Sequence, residues 1–165
     1  MVILGVGNDL RGDDAAGLEV VRLIRSRAVR SGVAGGERPG DPLGLIEAWS
    51  GCAGAVVVDA MRGGSGQPGA IRRHDAGRAP LPAGAVGRGS THAAGVAEAI
   101  ELARTLGRLP PRVIVYAVEG ARFELGAGLS APVRAALPAL AAAVRAEAVA
   151  LVPVSPDRRR PPWRR

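Results

Sequence analysis

Three side chains, far apart in the chain, have the types and settings to do chemistry: Asp14, Asp59 and His92. Asp14 stands in Gly12-Asp13-Asp14-Ala15, just beyond the first apolar run. Asp59 ends the apolar run of Ala55-Val56-Val57-Val58-Asp59-Ala60, and a carboxylate at the end of a buried strand needs a partner. His92 follows Ser90-Thr91 at the head of an amphipathic segment. Two carboxylates and one imidazole make a site for a borderline divalent ion such as Ni²⁺ or Zn²⁺, with coordination positions left open for a substrate. Each residue also has a plainer reading. Asp14 can complement a helix dipole, and His92 can cap a helix or face solvent. His74, between Arg73 and Asp75, reads as inert, and Glu98, Glu101 and Glu124 read as solvated charges. No Gly-x-Ser-x-Gly elbow occurs and Cys52 has no neighbouring histidine, so no nucleophile is evident.

The elements that must position these residues alternate. Val2 to Val6 is apolar throughout, as a strand buried on both faces of a parallel sheet would be. Ala15 to Arg27 follows with apolar positions at Ala16, Val20, Leu23 and Ile24, a helical spacing. The glycine-rich segment Ala28 to Asp41 is hard to read, with Val29 and Val33 as the hints of a short strand. Asp41-Pro42 then predicts an N-cap with proline at the first helical position, for a helix through Leu43, Leu45, Ile46 and Trp49 that ends near Gly51. Ala55 to Ala60 is the next buried strand. Ala70 to His74 predicts an edge strand blunted by Arg72 and Arg73. A Pro/Gly-rich loop, Ala76 to Gly89, leads to a helix capped by Ser90 or Thr91, with apolar residues at Val96, Ile100, Ala103 and Leu106. Arg112 to Val118 is the last strand. Ser130 caps a long final helix carrying Val133, Leu137, Leu140 and Val144, which Pro138 should kink or divide. Strand and helix in alternation predict an α/β fold, a mostly parallel sheet with helices on both faces. In such a sheet ligands bind at the carboxyl ends of the strands. Asp14, Asp59 and His92 are all expected on that edge.

Composition narrows the function classes. A chain of 165 residues makes one domain, expected over residues 1–152. The remaining residues 153–165 form an Arg/Pro-rich segment expected to be disordered. All 22 basic residues are arginine. Residues 157–165 hold five arginines and one aspartate, a net +4, so the formal +7 leaves +3 for the rest. No aromatic platform accompanies these arginines, and no nucleic-acid partner is expected. One cysteine excludes an internal disulfide and a cysteine-based zinc site. No apolar run approaches the length of a membrane span and no leader precedes the first strand, which predicts a soluble, cytoplasmic protein with no membrane partner; a monomer is expected. A dinucleotide fingerprint fails on spacing, since Gly5-Val6-Gly7 is followed by Leu10 where the third glycine belongs. Asp9, Asp13 and Asp14 in the same loop would repel a pyrophosphate.

Taken together the motifs resemble the hydrogenase maturation endopeptidases, which trim the large subunit of nickel-iron hydrogenases. Ile3-Leu-Gly-Val-Gly-Asn8 with Gly12-Asp-Asp-Ala-Ala-Gly17 is similar to that family's opening signature. Val56-Val-Val-Asp-Ala60 with Gly66-Gln-Pro-Gly69 is similar to its second block, Ser90-Thr-His92 to its third, and Phe123-Glu-Leu-Gly126 with Leu129-Ser130 to its closing segment. The matches run in order from Val2 to about Ala150. Gly32 to Asp41 departs from the pattern, without the second strand and glycine-threonine turn of many members. The resemblance implies a three-layer α/β/α sandwich around a twisted five-stranded sheet. It implies that Asp14, Asp59 and His92 contact nickel, and that the nickel is carried by the substrate, with no organic cofactor. It implies that one peptide bond near the C-terminus of the nickel-loaded large-subunit precursor is hydrolysed. Two other readings stay open at this point: a non-catalytic chaperone that docks on the metallated precursor with the same trio, and, less favoured, a nucleotide-binding α/β domain.

Overall fold

The structure is a computed structural model that describes residues 1–25, 32–63, 66–82 and 91–152, with the backbone alone for residues 91–94. In chain order it runs β1 (Val2–Val6), a 3-10 turn (Gly12–Ala15), α1 (Ala16–Arg25), β2 (Ala34–Arg38), α2 (Pro42–Trp49), β3 (Ala55–Met61), β4 (Ile71–Asp75), α3 (Thr91–Thr105), β5 (Val113–Glu119) and α4 (Ala131–Leu151). The strands form one five-stranded sheet in the order β2-β1-β3-β5-β4. The first four in that order are parallel neighbours, and β4 closes the edge antiparallel to β5.

β1, β3 and β5 are buried at every position, because helices cover both faces of the sheet. The pleat divides their side chains. Ile3, Val56, Val58, Ile114 and Tyr116 pack against Val20, Val21 and Ile24 of α1 and Val133, Leu140 and Val144 of α4. Val2, Leu4, Val57, Val113 and Val115 pack against Leu45, Ile46 and Trp49 of α2 and Val96 and Ile100 of α3. The result is the expected α/β/α sandwich. Among the described residues no helix is long and apolar enough to cross a membrane.

Several expectations change at the element level. The glycine-rich segment does form a strand: β2, Ala34-Gly-Gly-Glu-Arg38, pairs with β1 from Val2↔Ala34 to Val6↔Arg38. Backbone pairing alone builds it, so it shows no apolar pattern, and Val29 lies outside the described residues. The N-cap at Asp41 is as expected, its carboxylate accepting the Gly44 N–H at 2.6 Å with Pro42 in the first turn. β3 continues two residues past Asp59. Thr91 is the first residue of α3, while Ser90 and the expected end of the first helix at Arg27 lie outside what is described. Leu106 falls just beyond α3 and is 55% exposed, not part of its apolar stripe. α4 passes through Pro138 as one helix. Val133 and Leu137 before the proline and Leu140 and Val144 after it are all buried on the same face of the sheet, which holds both halves in line despite the hydrogen bond that proline removes. Ser130 is the N-cap residue but makes no side-chain cap bond.

Candidate active site

The strand order places the site. From β1 the chain moves to β2 on one side, then crosses to β3 on the other. The crevice beyond the carboxyl ends of β1 and β3 is therefore a topological switch point, where open α/β sheets bind ligands. Asp14 lies in the 3-10 turn that leaves β1, and Asp59 lies near the end of β3, one residue past the Gly5↔Val58 pair. By the alternation of the pleat Asp59 shares the face of Ala55 and Val57, the one covered by α2 and α3.

The small residues of the first motif bring these elements together. A Cβ on Gly17 would run into the carbonyl oxygens of Val6 and Val58. One on Gly5 would run into the Gly17 carbonyl. Only glycine at both positions lets the start of α1 rest directly on the backbones of β1 and β3. Gly7, at φ +144°, turns the chain out of β1 and leaves no room for a Cβ beside the Asp14 carbonyl. Asp14 is thereby delivered to the end of β3 by backbone contacts. An open groove of about 340 Å³ runs alongside, lined by Gly7, Asn8, Asp9, Leu18, Glu37 and Arg38 among others.

Both carboxylates are buried, Asp14 at 1% exposure and Asp59 at 0%. One oxygen of Asp59 accepts the N–H of Ala60 at 2.8 Å. The other has no hydrogen-bond partner among the described residues. Burial first, and the charge of Asp14 second, push the Asp59 carboxyl up to about 8, against a lowering by the Ala60 N–H. A buried carboxylate beside a second one resists ionisation, because its charge is neither solvated nor compensated. A cation in the crevice reverses both effects. His92 lies in the first turn of α3, and its side chain is outside the described residues. Gly95, one turn on, abuts the carbonyl of Gly40 beyond β2, so the head of α3 is at the same edge as Asp14 and Asp59. His92 was expected there because it heads a helix, and helices that follow strands begin on that edge. The strand before it, β4, is antiparallel to β5, and α3 nonetheless begins at that edge. Among the described residues no three His, Cys, Asp or Glu side chains form a metal cluster. His74 on β4, paired with Val115 of β5, sits toward the opposite edge.

A family model described as hydrogenase maturation protease matches residues 27–147. The chain belongs to the hydrogenase maturation proteases. It is accordingly a peptidase. The fold matches hydrogenase maturating endopeptidase HybD from E. coli at 25% identity and a TM-score of 0.71, over 88% of this chain and 92% of that one. It also matches the [NiFe] hydrogenase maturation protease HybD from Thermococcus kodakarensis at 24% identity and a TM-score of 0.73, over 89% and 97%. HycI from Thermococcus kodakarensis KOD1 matches at 24% identity and a TM-score of 0.63, over 90% and 91%. No curated protein sequence matches.

Two carboxylates of this protease escaped the sequence reading. Asp13 is fully buried. Its Oδ2 accepts the N–H groups of Ala121 at 2.7 Å and Arg122 at 2.9 Å, and its Oδ1 accepts that of Ser130 at 2.6 Å. Its own N–H donates to the Arg122 carbonyl at 2.7 Å. Asp13 thus ties the β5–α4 connection to the turn that carries Asp14. The acidic doublet was the available signal, but sequence offers no way to tell which member turns inward to the backbone. Glu119 ends β5 and is 2% exposed. Like Asp59 it is a carboxylate near the end of an apolar strand, and Val118-Glu119 carried the same signal. Asp13, Asp14, Asp59 and Glu119 are the buried carboxylates among the described residues, and all four lie at the carboxyl edge of the parallel strands.

Proposed function

We propose that this protease removes a C-terminal peptide from the nickel-loaded precursor of a nickel-iron hydrogenase large subunit, with Asp14, Asp59 and His92 contacting the nickel that the precursor brings. The observation that carries this reading is Asp59: fully buried at the switch point, facing the field of Asp14 and pushed up to about 8. A carboxyl so placed is poised to gain from an arriving dication. The cation's charge lets Asp59 release its proton and bind as an anion beside Asp14. An imidazole at His92 suits a borderline ion such as Ni²⁺ better than Mg²⁺ or Ca²⁺.

The nickel then acts as a recognition device. A precursor without it meets a neutral Asp59 and is held less well. A precursor with it is anchored at the crevice, and its C-terminal segment lies over the carboxyl edge. Hydrolysis adds hydroxyl to the carbonyl carbon of one peptide bond and a proton to the departing amine. Replacing Asp59 by alanine removes one of the nickel contacts and the pH-tuned carboxyl. Asp59→Ala should leave the circular dichroism spectrum of the fold unchanged and abolish shortening of the precursor by intact mass. A fully active variant contradicts the assignment.

A further inference from the structure

Leu10 is 64% exposed and Leu125 is 72% exposed. A single exposed leucine is ordinary on a protein surface. These two are set apart by where they stand and how they are held. Leu10 lies in the turn between β1 and Asp14, and Leu125 lies in the β5–α4 connection. The two backbones run side by side: Gly126 N–H donates to the Leu10 carbonyl at 2.7 Å, Gly12 N–H to the Ala127 carbonyl at 3.0 Å, and Asp13 N–H to the Arg122 carbonyl at 2.7 Å. The buried Asp13 carboxylate adds three more bonds to the same connection. Both leucines are therefore presented to solvent from a cross-braced platform that directly adjoins the candidate catalytic edge. Ordering exposed apolar side chains beside a site, rather than turning them inward, lowers the entropy cost of gripping an incoming chain.

We propose that Leu10 and Leu125 form an apolar subsite that takes apolar side chains of the protein substrate next to the scissile segment, and so set which precursor is cut. This rests on the protease reading above. A second copy of the chain is the other apolar occupant available, but a copy seated here would cover the edge that holds Asp14 and Asp59 and close it to a protein substrate. The substrate itself is the occupant that leaves the site usable.

The test uses the full chain and a nickel-loaded large-subunit precursor, with initial rates of C-terminal release followed by intact mass. Leu10→Ser and Leu125→Ser are surface changes, and Leu106→Ser, also exposed but outside this platform, is the control. The subsite predicts that each platform variant raises KM about tenfold, the double variant more, with kcat within about twofold, since contacts made equally in ground and transition state act on binding alone. The control should match the parent. Unchanged KM in the double variant, with the parent active, overturns the subsite and leaves the protease reading intact. A parent that sediments as a dimer, and becomes monomeric in the double variant with KM unchanged, assigns the pair to self-association and also overturns it. A parent that never shortens the precursor contradicts the protease reading, and the subsite falls with it.

Discussion

A carboxyl held neutral up to about pH 8 by burial and by Asp14 leaves a mark on stability as well as on chemistry. Unfolded, Asp59 ionises near its ordinary value of 3.8; folded, it keeps its proton to about 8. Between those values the native state binds more protons than the unfolded state. Stability from this group is therefore fully present below about pH 4 and is lost as pH rises to about 8. The loss is on the order of a few kcal/mol, since a tenfold change in a proton-binding equilibrium is worth about 1.4 kcal/mol. Urea unfolding of the metal-free protein should show a midpoint that falls from pH 5 to pH 8. In Asp59→Asn, which has no proton to lose, that slope should flatten, and the variant should exceed the parent in stability at pH 8. Equal slopes in both would mean that Asp59 is not the group responsible. By contrast the pairs of Arg22 with Asp9, Glu19 and Glu37 lie at the partly exposed surface, where ion pairs contribute little.

At the scale of elements, two features hold the site together. The first is the close seat of α1 on β1 and β3. Gly17→Ala would drive a methyl into the carbonyls of Val6 and Val58, and overpacking of this kind costs about 1–3 kcal/mol. The melting temperature should drop, and cleavage should fall with it because Asp14 immediately precedes the displaced helix. A variant as stable and active as the parent would show that the approach is not needed. The second is the Asp13 latch. Asp13→Ala leaves the N–H groups of Ala121, Arg122 and Ser130 without their acceptor, at about 1–3 kcal/mol for a buried unsatisfied group. Hydrogen exchange at these three amides should accelerate while β3 amides stay protected, and unchanged exchange would contradict the latch. These features also mark how far sequence could reach. The continuous apolar runs of β1, β3 and β5, the Asp41-Pro42 cap and the stripe of α4 were legible because their periodicity is local. Asp14 and Asp59 were legible because carboxylates at strand ends converge in a parallel sheet whatever the details. β2 was legible only as a hint at Val33, because Ala34-Gly-Gly-Glu-Arg38 is shaped by its pairing with β1 and carries no pattern of its own. Asp13 was not, because its role depends on contacts with residues more than a hundred positions away. Glu119 carried the strand-end signal of Asp59, but a single glycine, Gly120, follows it where Gly63, Gly64, Gly66 and Gly69 follow Asp59.

For the molecule as a whole, the sheet order and the family together fix a division of labour. The two helical layers and the three buried strands make the frame, and on the proposed reading the chemistry lies along one edge: the turn after β1, the end of β3, the head of α3 and the β5–α4 connection. A substrate must arrive at that edge, and on this account it does so by bringing its own cation. The most direct test is to incubate the full protein with a nickel-loaded and a nickel-free large-subunit precursor and read the intact mass of each. The account predicts loss of one C-terminal peptide from the nickel-loaded form alone. Equal shortening of both forms would contradict the role of the metal, and binding of the loaded form with no loss of mass would contradict cleavage itself.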